Sequence, residues 1–206
     1  MSPARPVVAI LDYRMGNLRS VQKALEVSGA EARIATDPGQ VGAVDGLVLP
    51  GVGAFGDAMD HLRTLGFEPL VLDAVERGTP LLGICVGLQV LFEESTEMGE
   101  HRGLGIFPGR VVRFPSHLVV PHVGWNQLHP ARSHFLVEGL PDGVHAYFTH
   151  SYYPEPADPE VIVATTDYEF HFASICARDN VCGVQFHPEK SWRVGLGMLN
   201  RYVRSL

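Results

Sequence analysis

The chain has 206 residues, 46% of them hydrophobic and 19% charged, with a formal net charge of −7. That length suits one compact domain, residues 1–206, and the ordinary composition excludes disordered and fibrous classes. The acidic balance, with no run of Lys or Arg longer than a pair, argues against a nucleic-acid partner, and no stretch nears the roughly 20 apolar residues that cross a bilayer.

The first apolar run, Val7 to Leu11, ends at Asp12. It is too short for the hydrophobic region of a signal peptide and reads as a buried strand, so a cytoplasmic protein is expected. From Gly16 to Ser28, Leu18, Val21 and Leu25 share one helical face, and Gly29 follows as a C-terminal cap. Arg33 to Thr36 and Leu47 to Leu49 are short strands, the second ending in the turn Pro50-Gly51-Val52-Gly53. Helical spacing returns over Phe55 to Leu65 and Pro69 to Arg77. Leu81 to Ile84 is apolar on both faces, as a central strand requires, and runs directly into Cys85. A helix is expected from Gly87 to Glu94.

After Gly99, prolines, β-branched residues and turn pairs replace the helical patterns. Val111 to Phe114, His145 to Phe148, Val161 to Thr165, Phe170 to Ala177 and Val181 to Phe186 read as strands, with Asp179-Asn180 suited to a tight hairpin between the last two. Val194 to Val203 is a final helix. The fold class is therefore α/β: an open, mostly parallel sheet flanked by helices, with a more antiparallel C-terminal part. Three cysteines, Cys85, Cys176 and Cys182, form an odd set in such a chain, so reduced thiols are expected. No C-x2-C or H-x3-H spacing of a zinc site is present, and no metal is expected.

Gly83-Ile84-Cys85-Val86-Gly87 is a G-x-C-x-G on a strand-to-helix turn, the form of a nucleophile elbow, where glycines make room for a sharp turn that lifts the reactive side chain above the sheet. A helix N-terminus beside the thiol favours thiolate, and nearby backbone N–H groups bind an oxyanion. Read alone, Cys85 fits a small buried residue equally well. Phe186-His187-Pro188-Glu189 adds an imidazole and a carboxylate two residues apart; at a strand's end both project to one side, so the carboxylate can steady one ring nitrogen while the other faces the thiol.

The elbow through Gln89, together with Gly183 to Glu189, resembles the class I glutamine amidotransferases. Pro50 to Phe55, Pro121-His122-Val123-Gly124-Trp125-Asn126, Phe148 to Tyr153 and His187 to Ser191 are similar to one branch of them, the glutaminase subunits of imidazole glycerol phosphate synthase. The resemblance implies the flavodoxin-like fold of that family and a triad of Cys85, His187 and Glu189. It implies an oxyanion site at Gly51, Val52, Gly53 and Val86, and glutamine contacts at Gln89, Glu97, Ser151 and Tyr152. A lone carboxylate at Glu97 suits the substrate's ammonium, although an acidic stretch at a solvated helix end explains it nearly as well. The implied partner is a cyclase subunit, a (β/α)8 barrel in a heterodimer, contacted through His122, Trp125, Asn126 and Lys190. It takes up the ammonia in histidine biosynthesis and activates the glutaminase allosterically. Trp125 also suits a core. No cofactor is implied. Arg14 departs from the pattern, standing where relatives frequently have glycine. Other readings of the same residues are a cysteine hydrolase, a binding subunit without chemistry, or a glutaminase serving a different acceptor.

Overall fold

The computed structural model describes residues 4–206. Its first half runs β1 (Val7–Leu11), α1 (Leu18–Val27), β2 (Glu31–Ala35), β3 (Gly46–Gly51), α2 (Phe55–Thr64), α3 (Phe67–Glu76), β4 (Leu81–Cys85) and α4 (Val86–Gln89). The second half is mostly strand: β5 (Phe92–Ser95), β6 (His101–Arg102), β7 (Phe107–Arg113), β8 (His122–Pro130), β9 (Val144–His150), β10 (Tyr152–Pro156), β11 (Ile162–Asp167), β12 (His171–Arg178) and β13 (Val181–Val184), closed by α5 (Trp192–Arg204).

Nine strands form the main sheet in the order β2-β1-β3-β4-β13-β12-β11-β8-β9, and β10-β7-β5-β6 form a second sheet. Pairing is parallel from β2 to β13 and antiparallel from there to β9. The parallel strands are covered on both faces, which is why β3 and β4 are buried along their whole length and read as apolar runs. On α1 the buried positions Val21, Ala24 and Leu25 are the helical stripe that the spacing predicts. The hairpin expected at Asp179-Asn180 joins β12 to β13, with Arg178 opposite Val181 and Asp179 at φ +49°.

The register decides where chemistry can occur. Gly51 at the end of β3 pairs with Cys85 at the end of β4, and Val184 at the end of β13 pairs with Ile84. Three carboxyl-terminal strand ends thus lie side by side, the place where open α/β sheets bind ligands.

Besides the strands β6 and β10, which the sequence does not announce, two local features depart from expectation. The helix expected from Gly87 to Glu94 is a single turn, Val86–Gln89, after which the chain becomes β5. The carbonyls of Val90 and Leu91, which a longer helix would use internally, instead accept from the amides of Leu104, Ile106 and Phe107. Tertiary pairing overrides local propensity here. The second departure is strand β8, bracketed by Pro121 and Pro130; its glycine and asparagine mask an alternation that the structure makes plain, with His122 and Leu128 buried and Val123 and Trp125 exposed.

Candidate active site

Cys85 is the last residue of β4 and adopts φ +55°, ψ −111°. For a non-glycine residue this backbone costs on the order of 1–3 kcal/mol and persists only where its surroundings impose it. The glycines impose it by close approach. A Cβ on Gly87 would lie 1.7 Å from the Leu49 carbonyl oxygen, and one on Gly83 would lie 2.6 Å from the Gly87 carbonyl oxygen. Because α4 has only one turn, the partial charge expected from a long helix shrinks to its first free amides.

His187 stands beyond β13, and its Nδ1 lies 2.9 Å from Glu189 Oε1, with the two side chains 3% and 1% exposed. The pair does not arise from strand alternation. Residues Pro188–Lys190 form a 3-10 turn, which folds the carboxylate back under the ring. Ser191 locks that turn: its hydroxyl donates to the His187 carbonyl at 2.6 Å and accepts from the Tyr147 amide at 2.9 Å. Burial works against charge on the imidazole, but Cys85 and Glu189 outweigh it, and the His187 pKa is pushed up to about 9. Among the described residues Nε2 has no partner in good hydrogen-bond geometry, although Cys85 stands near enough to raise the ring's pKa.

Cys85 and His187 line one cavity of about 170 Å³, whose walls include Val52, Gly53 and Val86 on one side and Ser151 and Tyr152 on the other. Gln89, Glu97, Thr149 and His150 complete it. Gly51 does not line the space, but a Cβ there would sit 2.4 Å from the Tyr13 hydroxyl and 2.9 Å from the Gly87 amide, so glycine is required behind the wall. Glu97 lies in the loop after β5 and not at a helix end. Its Oε2 accepts from the Phe55 amide at 2.7 Å, capping α2, and burial raises its pKa. A groove of about 690 Å³ beside Arg132 and His134 is larger but is lined by no cysteine.

Gln185 has no role in the sequence reading, yet it is fully buried with Nε2 3.7 Å from Cys85 Sγ and Oε1 3.0 Å from Gln89 Nε2. The available signal is a polar residue extending an otherwise apolar strand, two positions before His187. Tyr13 is a second such residue, its hydroxyl buried without a partner among the described residues and its pKa raised by burial and by Cys85.

The four expected docking residues divide. Trp125 is 51% exposed, which removes the core alternative, and its ring meets Tyr147 edge-on at 6.1 Å. Lys190 Nζ stands 5.8 Å from the same Tyr147 ring, so Trp125 and Lys190 share a surface. His122 is on the other face of β8, 5% exposed and stacked between Phe148 at 5.0 Å and Tyr168 at 4.3 Å. Asn126 turns the same way and contacts His122 Nε2 at 3.2 Å. These two stand behind the exposed face and not on it.

The sequence profile of the family described as glutamine amidotransferase class-I matches residues 9–201. Two curated relatives, each named imidazole glycerol phosphate synthase subunit HisH, are 52% identical over 203 residues in Syntrophotalea carbinolica and 49% identical over 203 residues in Geobacillus thermodenitrificans. The first alignment covers 95% of this chain and 98% of the relative, the second 96% and 95%. Among solved structures, one described as a glutamine amidotransferase superposes with TM-score 0.76 at 22% identity, covering 97% of this chain and 99% of its own. The structure of PurLQS from Thermotoga maritima gives TM-score 0.76 at 19% identity, covering 98% and 97%, a likeness of fold alone. No helix among the described residues is long and apolar enough to cross a membrane. The chain belongs to the class I glutamine amidotransferase family.

Proposed function

We propose that residues 1–206 act as one cytoplasmic glutaminase domain that hydrolyses glutamine and passes the ammonia to the cyclase subunit of imidazole glycerol phosphate synthase, in histidine biosynthesis. The observation that carries this reading is a single cavity walled by Cys85 and His187, with Glu189 steadying the imidazole from behind. The Cys85 thiolate attacks the side-chain amide carbon of glutamine, and the charge that develops on its oxygen is met by the amides of Val52, Gly53 and Val86. The C–N bond breaks as imidazolium gives its proton to the departing nitrogen, which leaves as ammonia. The neutral imidazole then takes a proton from water, and hydroxide cleaves the thioester to release glutamate and restore the thiolate.

Glu97 is suited to the substrate's ammonium, with Gln89, Ser151 and Tyr152 around the rest of the amino-acid end. Trp125 and Lys190 would meet the cyclase, with His122 and Asn126 supporting the strand behind them. Neither a metal nor a cofactor takes part in this scheme. Replacing Cys85 with Ala should abolish glutamine-dependent synthesis by the complex while ammonia-dependent synthesis continues. Loss of both would show that the cysteine holds the structure instead. Hydrolysis by the isolated chain should be weak and rise when the cyclase binds its ribotide substrate.

A further inference from the structure

His122 and His150 face each other directly across β8 and β9, and six hydrogen bonds run from the back of β8 to the nucleophile through them. His150 Nδ1 lies 2.8 Å from the Tyr152 carbonyl oxygen, which can only accept, so the His150 proton is on Nδ1 and its Nε2 is an acceptor. His122 Nδ1, 3.0 Å from that Nε2, must then be the donor, leaving His122 Nε2 to accept from Asn126 Nδ2 at 3.2 Å. The other Asn126 amide proton goes to the Asp167 carbonyl at 2.8 Å, and the Gln127 amide fixes Asn126 Oδ1, also at 2.8 Å.

Beyond Tyr152 the line of hydrogen bonds continues. Its carbonyl also accepts from Gln89 Nε2 at 2.9 Å, which turns the Gln89 nitrogen toward Gln185 Oε1 at 3.0 Å. The Gln185 nitrogen is thereby left for Cys85 Sγ. Every proton position is forced once one carbonyl is fixed, provided both imidazoles are neutral. Burial ensures this, holding His122 at about 4 and His150 at about 3. A buried network with every member satisfied is rigid, and this one ends in the wall of the cavity.

We propose that His122 and His150 are positioning residues for glutamine hydrolysis, tying the strand whose outer face carries Val123 and Trp125 to the Tyr152 and Gln89 wall of the glutamine cavity. This rests on the glutaminase reading above. His150 borders the cavity, but neither imidazole hydrogen-bonds Cys85 or His187. A displacement of β8 against β9 would break the His122–His150 bond and release the Tyr152 carbonyl from its fixed orientation.

The test is steady-state glutamine hydrolysis by the complex with its cyclase. His122→Phe keeps the aromatic stack and removes the relay; kcat/KM for glutamine should fall about tenfold, mainly through KM, with ammonia-dependent synthesis retained. His122→Asn restores a donor near the Nδ1 position and should recover most of the loss. His150→Asn keeps the donation to Tyr152 but loses the link to His122, so adding His122→Phe to it should change nothing further. Values within twofold of the parent for His122→Phe, a His122→Asn variant as impaired as His122→Phe, or fold-changes that multiply in the double variant would each overturn the relay. If His122→Phe does not fold, His150→Asn alone should show the same roughly tenfold loss in kcat/KM, and a value within twofold of the parent would overturn the relay. Absence of any glutamine hydrolysis by the unmodified complex would instead overturn the glutaminase reading.

Discussion

Glu189→Gln separates the charge of the triad carboxylate from its shape. Glu189 Oε1 accepts from His187 Nδ1 at 2.9 Å, and a glutamine carbonyl can accept the same proton, so the ring keeps its tautomer and only the negative charge is lost. Holding the imidazole at about 9 against an ordinary 6.5 corresponds to about 3 kcal/mol in favour of imidazolium. Cys85 and Glu189 share that effect and also offset burial, so removing the carboxylate should withdraw a part of it on the order of 1 kcal/mol. Imidazolium is the form that protonates the departing nitrogen, so kcat/KM for glutamine should decline on the alkaline side near pH 9 in the parent enzyme. In the variant that limb should move about one pH unit lower, and the plateau rate should fall about tenfold or more. The assay is glutamate release by the cyclase complex across roughly pH 6 to pH 10, spanning both forms of the ring. An alkaline limb that stays in place would refute the assignment of Glu189 as the electrostatic support of His187.

Gly87→Ala should cost several kcal/mol in a denaturant titration, because its Cβ would overlap the Leu49 carbonyl, whereas Gly78→Ala, with open space at φ +81°, should cost only about 1 kcal/mol. Arg14 adopts φ +68° in an exposed turn. Arg14→Gly should therefore raise stability to thermal unfolding by about 0.5 to 1 kcal/mol at most, and a lower midpoint would count against backbone strain there. Two pH effects oppose each other. The depressed pKa values of His122 and His150 contribute stability that is present above pH 6.5 and lost as pH falls toward 4, worth a few kcal/mol in urea melts; the raised pKa of His187 contributes stability that is full below pH 6.5 and lost as pH rises through about 9. Between about pH 7 and pH 4.5, His122→Phe should show a shallower decline than the parent, and parallel curves would argue that His122 is not buried neutral.

The parallel half of the fold is legible in the sequence because its strands are buried on both faces and its helices carry a single apolar stripe. Strands β5, β6, β8 and β10 are not. Phe92 to Ser95 follows a genuine helical turn and becomes a strand only because the second sheet captures its backbone, a long-range cause with no local signature. Cys85, His187 and Glu189 stand out because elbow glycines and an adjacent carboxylate are requirements of geometry and charge. Gln185 does not, since a buried amide looks like any polar residue until its neighbours are known. Resemblance groups His122 with Trp125, yet the pleat of β8 turns them to opposite faces.

Strand β13 comes from the last eighth of the chain and is inserted between β4 and β12. During synthesis, therefore, a nascent polypeptide can complete β1 to β4 and expose the thiol long before the imidazole has left the ribosome. Such an intermediate holds an open seam in the middle of its sheet, a hazard for association with other chains, but it releases no ammonia. Catalytic competence in this topology is deferred until β13 and the turn beyond it have emerged, so the appearance of turnover reports closure of the sheet.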